Sequence, residues 1–261
     1  MFAATYIINL ARSTERWHAL QPVLDRMGAP NRIRFEAIDG AALDAAALAQ
    51  LHARGLLSAD TSAFDPHCTA AEIGCALSHA AVLRDIVARD WPTALILEDD
   101  IALAPPPRNW QRRLGKTLAD LPASWELLYL YRCFDIRHRC RRLTRRVLVP
   151  WTPQGGAAYA VTRSGARKLL AALTPVPSAV DRVYSSLVQR REIEAYAASP
   201  LLIHPGAHAS IIRNGHPTKL WMENGVNLPP EYWPEPFLAH LGEQAPPQWR
   251  RALHFFQRSR T

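Results

Sequence analysis

The chain has 261 residues, 48% hydrophobic and 21% charged, with a formal net charge of +8. At about 150 residues per domain this is one large domain or two small ones, and the composition excludes a disordered chain. A chain of this size buries about 70–75% of its unfolded surface and needs neither a disulfide nor a structural metal to fold. Of its 31 basic residues only Lys116, Lys168 and Lys219 are lysines. Arginine suits bidentate phosphate contact, but genome composition produces the same skew. No segment reaches the ~18 apolar residues that span a bilayer. Residues 1–10 have neither the basic start nor the cleavage site of a signal peptide. Cys68, Cys75, Cys133 and Cys140 then point to free thiols in a reducing compartment, and neither Cys-x6-Cys pair has zinc spacing. The expectation is a cytoplasmic protein, soluble or bound to a membrane surface.

Residues 5–10 form an apolar run that reads as a buried strand. Residues 32–38 alternate and end at Asp39-Gly40, a turn signal. Residues 44–51 are Ala/Leu-rich and read as a helix. Thr69-Ala-Ala-Glu72 fits a capping box. Behind it Ile73, Ala76, Leu77, Ala80, Leu83 and Val87 recur at helical spacing, which predicts a helix over 70–89. Trp91-Pro92 ends it, and 93–97 reads as a central strand. Further on, 109–121, 164–173 and 180–191 read as helices, and 126–131, 145–151, 157–161 and 193–198 as extended. Strands separated by helices point to an α/β sheet covered on both faces. From Pro229 onward six prolines forbid regular structure, so 1–225 reads as one domain and 226–261 as an irregular tail.

The sharpest local feature is Glu98-Asp99-Asp100, directly after the strand 93–97. Strand side chains alternate, so Glu98 and Asp100 share one face and Asp99 takes the other. Ligands of open α/β sheets sit outside the carboxyl ends of the strands. Paired carboxylates there suit a hard cation such as Mg²⁺ or Mn²⁺ shared with a phosphate; a solvated acidic turn beside arginines is the other reading.

Several segments in order resemble glycosyltransferase family 25, the bacterial lipopolysaccharide and lipooligosaccharide glycosyltransferases related to collagen galactosyltransferases. They are Ile7-Ile8-Asn9-Leu10-Ala11-Arg12-Ser13 with Glu15-Arg16, and Ala37-Ile38-Asp39-Gly40. Next comes Glu72-Ile73-Gly74-Cys75-Ala76-Leu77-Ser78-His79, then Ala94-Leu95-Ile96-Leu97-Glu98-Asp99-Asp100, then Ala157-Ala158-Tyr159-Ala160-Val161-Thr162 with Gly165-Ala166. The resemblance covers about residues 5–212. It implies a GT-A-type nucleotide-binding sheet flanked by helices in a single catalytic domain. It also implies inverting transfer of a hexose, galactose by preference, from a UDP-sugar to a glycan or glycolipid acceptor. Asp100 then resembles the direct ligand of Mn²⁺ (or Mg²⁺), with Glu98 acting through water or the ribose and His208 as a third ligand from the C-terminal part. Asp181 resembles the acid that faces the acceptor, where a carboxylate would take the proton of the attacking hydroxyl.

Asn9, Arg12, Ser13, Arg16, Asp39 and Asp99 stand where the donor would lie. Arg12 and Arg16, one helical turn apart, suit a pyrophosphate or a base, and equally a solvated helix start. Asp39 suits a ribose or base, and equally a plain Asp-Gly turn. Glu72, Cys75 and His79 fall on one helical stripe and are candidates for the donor or acceptor pocket. A Cys and a His among Ala and Leu also read as core residues, and the two alone do not read as metal ligands beside an oxygen-rich site. Gly155 and Gly156 permit close backbone approach to a ligand, or a tight turn. The arginines of 132–146 and of the tail, with Trp249, Leu253, Phe255 and Phe256, suit an anionic membrane surface. A solvated basic loop and a packed terminal helix explain them as well. A GT-A-like module that binds nucleotide or glycolipid without turnover is the alternative, and a basic nucleic-acid-binding protein a more distant one. Nucleic acid is not expected as a partner, because no stacking aromatics interleave the basic residues.

Overall fold

The computed structural model describes residues 2–58, 68–104, 106–133, 135 and 139–206. The chain divides into units 1–212 and 213–261, and every described residue belongs to the first. The expected boundary at 225, the tail 226–261 and His208 lie outside the described residues.

Strand β1 (Ala4–Asn9) is the buried run expected near the N-terminus, and all six of its residues are buried. It leads into α1 (Thr14–Met27), which Gly28 closes in the left-handed conformation that a Cβ disfavours. β2 (Arg32–Glu36) follows, its alternating exposure matching an edge strand. α2 (Ala45–Ala53) is capped by Asp44. α3 (Ala70–Ala88) carries the predicted capping box: Thr69 Oγ1 accepts from the Glu72 amide, and Glu72 accepts from the Thr69 amide. β3 (Thr93–Glu98) and a short β4 (Ile101–Leu103) flank Asp99-Asp100. Then come α4 (Trp110–Ala119), β5 (Leu127–Tyr129), β6 (Arg141–Arg142), β7 (Val147–Val149) and β8 (Ala158–Thr162). α5 (Arg163–Ala172), α6 (Val180–Gln189), β9 (Ala195–Ala198) and β10 (Ile203–Pro205) complete the described chain.

Eight strands form one mixed sheet in the order β2-β1-β3-β8-β5-β9-β7-β6, and β4 pairs with β10 apart from it. The α/β architecture is the expected one. The extended stretch read at 145–151 is instead one arm of a β6–β7 hairpin, because Asp120 accepts from both Thr144 and Arg146 and holds the turn. Side-chain alternation divides the core. Tyr6, Ile8, Ile96, Tyr159 and Val161 face α3, α5 and α6, whereas Ile7, Leu95, Leu97 and Ala160 face α1 and α4. Each fully buried large apolar side chain contributes about 1.5–3 kcal/mol.

β1 is parallel to β2 on one side and to β3 on the other. The link to β2 runs through α1 on one face, and the link into β3 through α3 on the opposite face. The connections diverge at the carboxyl end of β1, which makes the crevice where α/β sheets bind ligands. Asn9, Asp39 and Glu98-Asp99-Asp100 all come to that edge.

Candidate active site

The helix beside the crevice is held by close backbone contact. A Cβ on Gly74 would stand 2.7 Å from the Gly40 nitrogen and the Ile38 carbonyl, and a Cβ on Gly40 would stand 2.3 Å from the Ala70 carbonyl. Only two hydrogen-bearing α-carbons allow α3 to touch the 38–40 turn. Ser78 Oγ reinforces the contact, accepting from the Ile38 amide and donating to the Gly74 carbonyl. Glu72 stays on its cap, while Cys75 and His79 reach the end of β3.

There the three acids separate. Glu98 Oε1 lies 3.4 Å from His79 Nε2 and accepts from the Cys75 thiol at 4.0 Å. Asp99 turns the other way, accepting from Asn9 Nδ2 at 2.6 Å and from Arg16 at 2.8 Å. Asn9 Oδ1 in turn accepts two bonds from Arg34, so its amide is a buried brace between Asp99 and β2. Asp100 lies 3.8 Å from the Arg16 guanidinium. Burial, then the charges of Glu98 and Asp99, push its carboxyl up to about 7 against the pull of Arg16. The Cys75 thiol is raised well above its ordinary value by burial first, then by Glu98, Asp181, Asp100 and Glu72. Negative charge from β3, α3 and α6 thus converges on one spot.

At the ends of β1 and β2 a cleft of about 460 Å³ is lined by Leu10, Arg12, Glu36, Ile38 and Asp39 among others. Arg12 forks onto Asp39 at 2.6 and 3.1 Å. This hydrogen bond holds the Asp39 carboxyl below its ordinary value, against a smaller effect of burial. Ile38 is the exposed large apolar residue among the described ones. The helical-turn spacing expected of Arg12 and Arg16 does not hold: α1 starts at Thr14, so Arg12 precedes the helix and pairs on the rim, while Arg16 points inward to the acids. Ser13 stands at the N-cap of α1 without a side-chain cap bond.

Gly155 has φ of +108°, a conformation glycine favours. A Cβ on Gly156 would stand 3.1 Å from Val180, 3.5 Å from His79 Nε2 and 3.6 Å from Glu98 Oε1. Val180 and Asp181 begin α6 there, and the Asp181 carboxylate accepts from the Arg182 amide.

The model of glycosyltransferase family 25 (LPS biosynthesis protein) matches residues 2–184. The chain belongs to glycosyltransferase family 25. It is similar to the Homo sapiens inactive glycosyltransferase 25 family member 3, 29% identical with 80% of this chain and 37% of that protein covered. It is also similar to the Mus musculus procollagen galactosyltransferase 2, 27% identical, 78% and 35% covered. A Drosophila melanogaster glycosyltransferase 25 family member is 30% identical, 77% and 35% covered. The chain spans little more than a third of the length of these relatives.

For a family 25 chain the site also contains Tyr159, which lies in a family segment but was given no role by it, and Tyr184 and Arg34, which no motif marks. Tyr159 Oη lies 2.9 Å from His79 Nδ1 and 3.0 Å from Tyr184 Oη, a hydrogen-bonded chain behind the histidine. Tyr159 and Tyr184 come from β8 and α6, and only their alternation and helical position could have aimed them inward. Arg34 is likewise hidden in an edge strand. Glu98 and Asp100 both offer carboxylate oxygens, the donor chemistry that suits a hard divalent cation. Among the described residues, no helix is long and apolar enough to cross a membrane.

Proposed function

We propose that this family 25 chain is an inverting, metal-dependent glycosyltransferase. It moves a hexose, galactose first of all, from a UDP-sugar to a cell-surface glycan such as lipopolysaccharide core, working at the cytoplasmic face of a membrane that it touches peripherally. The observation that carries the reading is that the carboxylates Glu98 and Asp100 stand at the carboxyl end of β3, which runs parallel to β1, the strand whose own carboxyl end opens on the cleft of Arg12 and Asp39. Relatives named procollagen galactosyltransferase and a family described by lipopolysaccharide biosynthesis support the donor and acceptor classes.

The cleft of Arg12, Ile38 and Asp39 takes the nucleoside, with Asp39 and Arg12 exchanging their mutual pair for ribose hydroxyl and phosphate. Glu98 and Asp100 hold Mn²⁺ or Mg²⁺, with His208 as the expected third ligand. A bound cation of this kind neutralises charge on a leaving diphosphate. Asp181 accepts the proton of the acceptor hydroxyl as its oxygen bonds the anomeric carbon from the side opposite the diphosphate. The protein holds both partners in line, which lowers the entropic part of the barrier.

A second reading, binding of nucleotide or glycolipid without turnover, has the relatives named inactive in its favour. One assay separates the two: the protein with Mn²⁺ and a panel of nucleotide sugars, with and without lipopolysaccharide core, read as nucleotide release. Acceptor-dependent release from UDP-galactose is expected. Saturable UDP binding with no release from any donor would leave the second reading standing.

A further inference from the structure

We propose that Cys75, His79 and Glu98 form a binding site for a thiophilic divalent cation of the zinc class, which shares Glu98 with the carboxylate pair and adds sulfur and nitrogen donors. One sulfur, one imidazole nitrogen and one carboxylate oxygen lie within 4.8 Å of one another. That set, three protein ligands with a fourth position open, is a zinc set, whereas Mn²⁺ and Mg²⁺ prefer oxygen. Bonds of about 2.0–2.3 Å in a tetrahedron put donors about 3.3–3.7 Å apart. His79 Nε2 and Glu98 Oε1 already stand 3.4 Å apart, and Cys75 Sγ, 4.0 Å from the same oxygen and within 4.8 Å of the imidazole nitrogen, closes the triangle by moving inward.

The frame around these atoms is built. Cys75 and His79 are four apart on α3 and so share a face, and the helix is pinned by its capping box and by the Gly40–Gly74 contact. His79 is wholly buried. Tyr159 Oη holds His79 Nδ1 at 2.9 Å and so aims Nε2 at the Glu98 carboxylate, a second layer of the kind that surrounds metal-bound histidines; in the metal-bound tautomer Nδ1–H would donate to Tyr159 and leave the Nε2 lone pair for the cation. Lone pair and carboxylate at that distance repel unless a proton or a cation stands between them. Gly156 packs against the same two atoms, since a Cβ there would stand 3.5 Å from Nε2 and 3.6 Å from Oε1. The spacing Cys-x3-His on its own gave no such indication; the third ligand arrives only when β3 docks on α3.

The site is read by binding alone and does not rest on transfer activity. The full chain, stripped with EDTA and desalted, is titrated with zinc chloride against a chromophoric chelator, and with Co²⁺ as an optical probe. One zinc per chain and a thiolate-to-cobalt charge-transfer band are expected. Cys75→Ser should lower zinc affinity at least ~100-fold and abolish the band, and Tyr159→Phe should lower affinity about 10-fold. Asp100→Ala should retain stoichiometric zinc. No stoichiometric zinc on the folded wild-type chain would overturn the site, leaving a protonated core cluster. Unchanged affinity in a folded Cys75→Ser chain would overturn it too. Should Cys75→Ser fail to fold, a chain carrying Cys68→Ser, Cys133→Ser and Cys140→Ser decides: retention of the cobalt band supports the site, and its loss assigns the metal elsewhere.

Discussion

The Asp99 carboxylate accepts from Asn9 at 2.6 Å and Arg16 at 2.8 Å, while Asp100, one residue on, has the same guanidinium at 3.8 Å and stands against the charges of Glu98 and Asp99. Both come from one turn between β3 and β4, and both are shielded from solvent. The difference is compensation. On the β1–α1 side a fixed cation and a buried amide answer the negative charge. On the α3–α6 side burial, and then the charges of Glu98, Asp181 and Asp100, raise the Cys75 thiol. A balanced buried carboxylate is a brace; an unbalanced one stores electrostatic strain that a bound cation or a proton relieves.

The comparison can be broken first at Asp99. Asp99→Ala removes the nearer of Arg16's two carboxylate partners and should cost about 3–5 kcal/mol, a fall in Tm of roughly 10 °C for a chain of this size. An unchanged melting curve would make the brace dispensable. Asp100→Ala should do the opposite. Transfer falls about 10²–10³-fold, while the Tm of the EDTA-treated protein stays level or rises because like charges are relieved. Full transfer by the wild-type protein in EDTA after exhaustive dialysis would remove the metal from the proposed reaction. Asp181→Asn tests the acid at the start of α6: transfer should drop at least ~10²-fold with UDP affinity retained, as read by single-turnover kinetics beside equilibrium binding. Near-normal transfer would assign the proton to another group.

Smaller effects sharpen the contrast. Thr69→Ala removes the cap of the helix that carries Cys75 and His79 and should cost about 1 kcal/mol. Donor affinity should stay constant if the glycine contact alone sets the position of α3. Glu126, remote from the crevice, is a balanced reference. Burial alone would raise its carboxyl, but Lys168 at 2.6 Å, the Glu194 amide and Ser164 outweigh it, and it ends below its ordinary value. A carboxyl depressed in the fold adds stability above its unfolded pKa of about 4.3 and loses it as pH falls through the folded value. Glu126→Gln should therefore flatten the acid limb of a Tm–pH profile and leave transfer unchanged. An identical acid limb in both proteins would mean that another carboxylate governs it.

Much of the fold was legible along the chain because its signals are local. The apolar run at 5–10, the Thr69–Glu72 cap and the periodicity behind it, and the breaks at Asp39-Gly40 and Trp91-Pro92 each depend on near neighbours. They placed β1, β2, α3 and β3 within one or two residues. The acid triplet at a strand end was legible for the same reason, as was the opposed direction of Asp99. What needed the tertiary structure was everything set by partners distant in sequence. Arg12 and Arg16 look like a pair by spacing, yet they serve Asp39 and Asp99, because the helix starts between them. Asp39 and Glu98 are 59 positions apart and share one edge only because β2 and β3 both run parallel to β1. Cys75 and His79 read as ordinary core residues until β3 brings Glu98 to them and β8 and α6 bring Tyr159 and Tyr184 behind. Sequence determined which residues carry charge and which face of an element they take. The surroundings of each charge, and so whether it braces the fold or stays available for chemistry, were decided by contacts across the sheet that no window of neighbouring residues contains.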